Sequence, residues 1–137
     1  MFLLVDAMHG LKQSDEQILK LFRHNAVPHQ VILSKVDRVL LPKTTKKHIA
    51  EDKFEKNIVA LKDIVERIRE KIQPRSDGPP ALGEILTVSA DNERWKALAP
   101  KTKGNLGIDA VRWAVLVATG LNQQTMDLKV QEREIKY

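Results

Sequence analysis

Two short runs of uninterrupted apolar residues, at 2–5 and 31–33, constrain this chain more than any other feature of its sequence. Each run is followed by a polar residue, Asp6 in the first case and Ser34 in the second. A strand wet on one face alternates apolar with polar, whereas a strand covered by helices on both faces is apolar throughout. Between the runs, Ser14 is placed to cap a helix in which Ile18, Leu19 and Phe22 recur at helical spacing. Pro28 then punctuates the return to extended chain. Strand, helix, strand is the unit from which open α/β sheets are built.

The remainder continues the pattern. Phe54, Ile58, Leu61, Val65, Ile68 and Ile72 form an apolar stripe at helical spacing, which predicts an amphipathic helix over about residues 50–73. Pro74, Gly78, Pro79, Pro80 and Gly83 mark a loop. Residues 84–88 read as a third strand, ending at Ser89-Ala90. Ile108, Val111, Val115 and Ala118 predict a further helix, closed by Gly120. The expected architecture is α/β, an open parallel sheet with flanking helices over residues 1–121, followed by a polar extension at 122–137. In such sheets ligands sit beyond the carboxyl ends of the strands. His9-Gly10, Ser34-Lys35-Val36-Asp37 and Ser89-Ala90-Asp91 all fall there.

Composition removes several classes of function. There is no cysteine, which excludes disulfides, thiolate metal sites and a cysteine nucleophile. No apolar run approaches the ~20 residues of a membrane span, so no membrane partner is expected. His9, His24, His29 and His48 show no metal-ligand spacing. Trp95 and Trp113 read as packing residues, and Asp6 and Asp15 as strand-end and helix-start residues. The net charge of +5 is concentrated early: residues 1–47 hold eight Lys or Arg against four Asp or Glu. Arg38, Lys43, Lys46, Lys47 and His48 form the densest cluster, a solvated face or an approach for RNA.

The tetrapeptide Ser34-Lys35-Val36-Asp37 carries the chemistry. A carboxylate held at a strand end accepts hydrogen bonds from the N1–H and exocyclic amine of guanine, donors that adenine lacks in that arrangement. Hydrogen bonds to charged groups contribute about 1.5–3 kcal/mol each, so such a site discriminates strongly. The lysine stem is suited to lie along the base, with its ammonium reaching the ribose. Ser89-Ala90, at the next strand end, is placed to offer a backbone N–H to guanine O6. A four-letter pattern alone arises often by chance; its position after a buried strand gives it weight.

The parts that hold phosphates are missing. A phosphate loop needs Gly-x-x-x-x-Gly-Lys-Ser/Thr between strand and helix. The spacing occurs once, from Gly78 to Gly83, but Glu84-Ile85 follows, and Pro79 and Pro80 supply no N–H. No Asp-x-x-Gly occurs either, which removes the usual magnesium contact. Hydrolysis by this chain alone is therefore not expected.

With these residues in view, the chain to about residue 121 resembles the C-terminal half of an EngB-type ribosome-biogenesis GTPase, of the P-loop GTPase class. Val5-Asp6-Ala7-Met8-His9-Gly10-Leu11 is similar to that family's Val-Asp-Ala-Arg-His-Gly-Leu segment, with Asp15 at the familiar distance. Ser34-Lys35-Val36-Asp37 matches its Asn/Thr-Lys-x-Asp motif, Val88-Ser89-Ala90 its serine-alanine motif, and residues 104–109 its lead into the last helix. Ser34 is a shorter tether than the usual Asn or Thr, and Met8 stands where Arg is common. The resemblance implies GTP/GDP binding through Ser34, Lys35, Asp37, Ser89 and Ala90, with Mg2+ held only through the missing N-terminal half. It also implies a role in assembling the large ribosomal subunit, with that subunit or its rRNA as partner. The segment from 40 to 83 is longer than in compact bacterial members, so a mitochondrial location is expected, with the cytoplasm as the alternative. A truncated domain from a longer GTPase accounts for the missing motifs and the interior-like first strand, and its half-sheet is expected to self-associate. A nucleotide-independent ribosome- or RNA-binding module that retains the half-fold is the other reading left open.

Overall fold

The computed structural model describes residues 1–42, 51–73, 81–90, 93–98 and 104–121. Most of the basic cluster, the proline-rich loop, Asp91 and the extension at 122–137 lie outside the described residues. The chain divides into two compact units, Met1–Gly107 and Ile108–Tyr137.

In the first unit β1 (Phe2–Asp6), α1 (Gln13–His24) and β2 (Gln30–Ser34) are followed by α2 (Asp37–Leu40), α3 (Glu51–Ile72), β3 (Leu86–Thr87) and α4 (Glu93–Leu98). The three strands make one parallel sheet in the order β1-β2-β3. An open parallel sheet with flanking helices is the architecture expected of part of a P-loop GTPase domain. β1 pairs with β2 from Phe2 opposite Gln30 to Asp6 opposite Ser34. β3 is shorter than the expected 84–88, pairing only at Leu86 and Thr87. Glu84 is drawn out of the strand: its carbonyl accepts from Gln30 Nε2 at 3.0 Å and its carboxylate meets Arg69 at 3.1 Å.

The register explains the core. Leu3 lies opposite Val31 and Val5 opposite Leu33, so all four side chains share one face of the sheet. Leu19 of α1 and Ile68 and Ile72 of α3 pack on that face. β2 is buried throughout its centre, with Leu33 fully so, as its apolar run predicts. β1 departs from that expectation: Leu3 and Val5 are buried, but Leu4 is 63% exposed on the opposite face. An apolar run announces that a strand is suited to burial on both faces; which neighbour arrives is a tertiary matter.

The helices follow their sequence signals with one correction. α1 starts at Gln13, not after Ser14, because the Asp15 carboxylate accepts the Lys12 N–H at 2.9 Å and closes the first turn. Asp15 thus has the helix-start role read from the sequence. α3 spans nearly the residues its stripe predicts, and Leu61 and Val65 pack against the core ahead of the fully buried Ile68 and Ile72. Asn57 Nδ2 donates to the Leu40 carbonyl at 3.0 Å, tying α3 to α2. Trp95 is half-buried, its ring 6.3 Å from that of Phe54.

The second unit contributes α5 (Ile108–Thr119), which ends at Gly120 with φ of 75°, the left-handed cap the sequence predicts. None of its residues is buried, and Trp113, expected as a packing residue, is 53% exposed.

Two substitutions separate the forces that hold the first unit. Leu33→Ala removes a fully buried side chain from the sheet centre and is expected to cost about 2–5 kcal/mol in urea denaturation. Arg23, in the last turn of α1, is buried with Nε and Nη1 lacking hydrogen-bond partners, although the helix terminus favours a cation there. Arg23→Met, which keeps the stem and removes the unpaired charge, is expected to leave stability unchanged or raise it by about 1–3 kcal/mol in the same experiment.

Candidate functional site

The carboxyl ends of β1, β2 and β3 converge on the turn from Ser34 to Asp37. Ser34 closes β2 with two bonds to β1: its carbonyl accepts the Ala7 N–H at 2.9 Å, and its hydroxyl donates to the Val5 carbonyl at 3.1 Å. The shorter tether of a serine therefore reaches the neighbouring strand. Lys35 follows with φ of 57°, in the left-handed region that β-carbon sterics disfavour by roughly 1–2 kcal/mol. Its neighbours hold it there. The Arg38 N–H bonds the Lys35 carbonyl at 3.0 Å, and Val36, fully buried, donates its N–H to the Val88 carbonyl at 3.2 Å. The reversal at Lys35 turns the chain so that Asp37 opens α2.

The two charged side chains of the turn reach in opposite directions along the sheet. Lys35 Nζ donates to Asp6 Oδ2 on β1 at 2.9 Å. Asp37 Oδ1 instead accepts from the hydroxyl of Ser89, just beyond β3, at 2.8 Å. Ser89 is itself buried, and its N–H and carbonyl bridge to Leu106 at 3.0 and 2.8 Å. Gly107 makes that bridge possible: at φ of 70° it lies so close to β3 that a side chain would overlap the Thr87 carbonyl. With the Ser89 N–H committed to Leu106, the next backbone donor among the described residues at this strand end is the N–H of the exposed Ala90. Ser34, Lys35, Asp37, Ser89 and Ala90 are thus brought to one end of the sheet, bridged by side chains 52 residues apart.

Asp6 belongs to the same cluster, though its position in the sequence suggests only a strand end. Its Oδ1 accepts the Met8 N–H at 2.9 Å, and its carbonyl accepts the Gly10 N–H at 2.8 Å. The Lys35 hydrogen bond, with that of Met8, holds its carboxyl below its ordinary value of 3.8. The signal available in the sequence was positional: Asp6 ends its apolar run as Ser34 ends the second, and parallel pairing sets such residues side by side.

A cavity of about 520 Å³ runs between the loop after β1, at His9 and Leu11, and Asp63, Arg67 and Lys71 of α3. His29 is buried, with Nδ1 2.9 Å from the Val27 carbonyl and its ring against Phe22. Among the described residues no group of three or more His, Asp or Glu side chains is arranged to hold a metal ion.

The ion pairs set a pH dependence. Lys35 lowers the Asp6 carboxyl below 3.8, and the Lys71 hydrogen bond lowers Glu16 below its ordinary 4.5. A carboxyl lowered in the folded state adds stability above its unfolded value and loses it as pH falls through the folded one. Stability is therefore expected to fall as pH drops below about 4.5, and the gap between the unaltered chain and Asp6→Asn to narrow below 3.8. Urea midpoints measured from pH 6 to about pH 2.5 check this; a constant gap would contradict it.

No protein-family profile matches the chain. Curated relatives do. The chain is 32% identical over 97 residues to "Probable GTP-binding protein EngB" of Rhizobium leguminosarum bv. trifolii, a match covering 69% of this chain and 42% of that protein. Its counterpart in a Chelativorans species is 36% identical over 72 residues, 51% of this chain and 32% of the relative. The Rhizobium etli protein of the same description is 30% identical over 97 residues, again 69% and 42%. The aligned region spans less than half the length of each of these relatives. The chain is thus similar to part of an EngB-type GTP-binding protein.

Proposed function

We propose that this chain supplies guanine recognition to an EngB-type GTPase that takes part in ribosome assembly. The observation that carries the reading is the Asp37 carboxylate, held at the end of β2 by the buried Ser89 hydroxyl from beyond β3. Fixed in this way, Asp37 accepts from guanine N1–H and the exocyclic amine, the Lys35 stem lies along the base, and the Ala90 N–H donates to O6. Ser34 and Ser89 hold the two walls of the pocket. The phosphates of GTP or GDP, and Mg2+ with them, fall to the part of the relatives that this chain does not span, since no phosphate loop occurs in the sequence. Hydrolysis is a property of the whole and is not assigned to these residues.

The remaining assignments rest on the sequence. The large ribosomal subunit or its rRNA is the proposed macromolecular partner, supported by the family resemblance and the charge of +5. Self-association is proposed through the face of β1 that exposes Leu4. A mitochondrial location is proposed, with the cytoplasm as its alternative, to be settled by fractionation of source cells.

Asp37→Asn tests the central reading. An amide offers an N–H where guanine requires an acceptor and suits the extra carbonyl of xanthine instead. With two charged hydrogen bonds at stake, guanosine is expected to bind about 100-fold more weakly or worse, with preference passing to xanthosine. Titration of the isotope-labelled chain with each nucleoside, followed by NMR, reads this without depending on phosphates. Unchanged preference would remove Asp37 from the role. RNA binding that weakens steeply with salt, together with indifference to Asp37→Asn, would favour the RNA-binding module instead.

A further inference from the structure

We propose that the cavity between the loop after β1 and α3 binds a small zwitterion with an apolar body, of the class of an apolar α-amino acid. Ser34, Lys35, Asp37, Ser89 and Ala90 do not line this cavity, so the inference stands whether or not guanine binds.

The cavity walls are built before any ligand arrives. On one side the His9 and Gly10 N–H groups both donate to the Asp6 carbonyl, at 3.2 and 2.8 Å, and the Met8 N–H donates to the Asp6 carboxylate. Gly10 makes that turn at φ of 62°, a conformation open to glycine at no steric cost. On the other side runs α3, where Ala60, Ile64 and Ile68 succeed one another at four-residue spacing along one face. Ala7 and Ile68 are buried and Leu11 and Ile64 half-buried, which gives the space an apolar floor. A volume of about 520 Å³ falls within the range of roughly 300–1,000 Å³ usual for small-molecule sites.

Three charged side chains of α3 line the space, Asp63, Arg67 and Lys71, each one helical turn from the next. Lys71 is bonded to Glu16 of α1 at 2.8 Å. Asp63 and Arg67 stand in the order that favours an ion pair four residues apart. They nevertheless form none with each other or with any other of the described residues. An exposed pair at that spacing gains little by closing, so a ligand that brings both charges meets slight competition. The cavity therefore presents one acid and one base above an apolar floor. A simple anion would set its charge near Asp63, and a simple cation near Arg67. A zwitterion answers both: its carboxylate accepts from the Arg67 guanidinium, whose fork suits it, and its ammonium donates to Asp63. The apolar body then covers Leu11 and Ile64.

NMR titration of the whole 137-residue chain with phenylalanine tests this. Resonances of residues 7–11 and 60–71 are expected to move together and to saturate, and glycine, which lacks the body, to move them far less. Removing one charge from the ligand then identifies each partner. Arg67→Met is expected to weaken phenylalanine binding about tenfold or more, and to leave the weaker binding of phenylalaninamide, which has no carboxylate, unchanged. Asp63→Asn is expected to weaken phenylalanine and leave N-acetylphenylalanine, which has no ammonium, unweakened. Both positions are exposed, so neither substitution disturbs the core. No saturable shift with phenylalanine, or equal losses for all three ligands in both variants, would overturn the proposal. Tighter binding of N-acetylphenylalanine than of phenylalanine to the unaltered chain would overturn it too, since Asp63 would then oppose the ligand.

Discussion

Pairing of β2 on both of its edges is the constraint on which the described structure depends. β1 takes one edge over its whole length, and β3 takes the other at Leu86 and Thr87. Burial of Val31, Ile32 and Leu33 makes this obligatory, because a strand removed from water has no solvent to satisfy its peptide groups. The same pairing fixes the end of β2, and the Ser34–Asp37 turn inherits its rigidity from that end. The Val88 backbone extends the connection past the strand proper, accepting from Val36 and donating to Leu33. A left-handed lysine is tolerable here because the chain on both sides of it is already committed.

Stability and the proposed recognition draw on different interactions in this molecule. The core of Leu3, Val5, Leu19, Leu33, Ile68 and Ile72 holds the sheet and its helices together through buried apolar area. The ion pairs Lys71–Glu16 and Arg69–Glu84 link α3 to α1 and to the approach to β3, and their partners are largely exposed. Such pairs contribute ~1 kcal/mol or less. The polar contacts at the strand ends matter for where they hold Lys35, Asp37 and Ser89. Apolar packing makes the frame, and hydrogen bonding aims the groups that the frame presents.

The likeness to part of an EngB-type GTP-binding protein gives these contacts a proposed common purpose. A domain that reads guanine needs an acceptor of fixed direction and a surface for the base to lie on. Asp37, bonded to Ser89, and Lys35, bonded to Asp6, reach to opposite sides of β2, and the proposed guanine reading rests on that arrangement. Leu106 and Gly107 complete the arrangement from a distance, by securing Ser89.

Much of this was legible in the residues alone. Runs of apolar side chains announced β1 and β2, the stripe from Phe54 to Ile72 announced α3 to within a residue, and Gly120 marked the end of α5. Each of these is a local property, set by periodicity or by backbone sterics. Ser34, Lys35, Asp37, Ser89 and Ala90 were also picked out by motif, which records residue types and order. What the sequence left open depended on neighbours distant along the chain. The bare face of β1 at Leu4, the exposure of Trp113, the shortening of β3 by the Glu84 contacts and the choice of Asp6 as the partner of Lys35 are of this kind. Covalent order determines which groups the chain owns and where it bends. Parallel pairing, which sets residues 29 and 52 positions apart side by side, decides which of those groups meet.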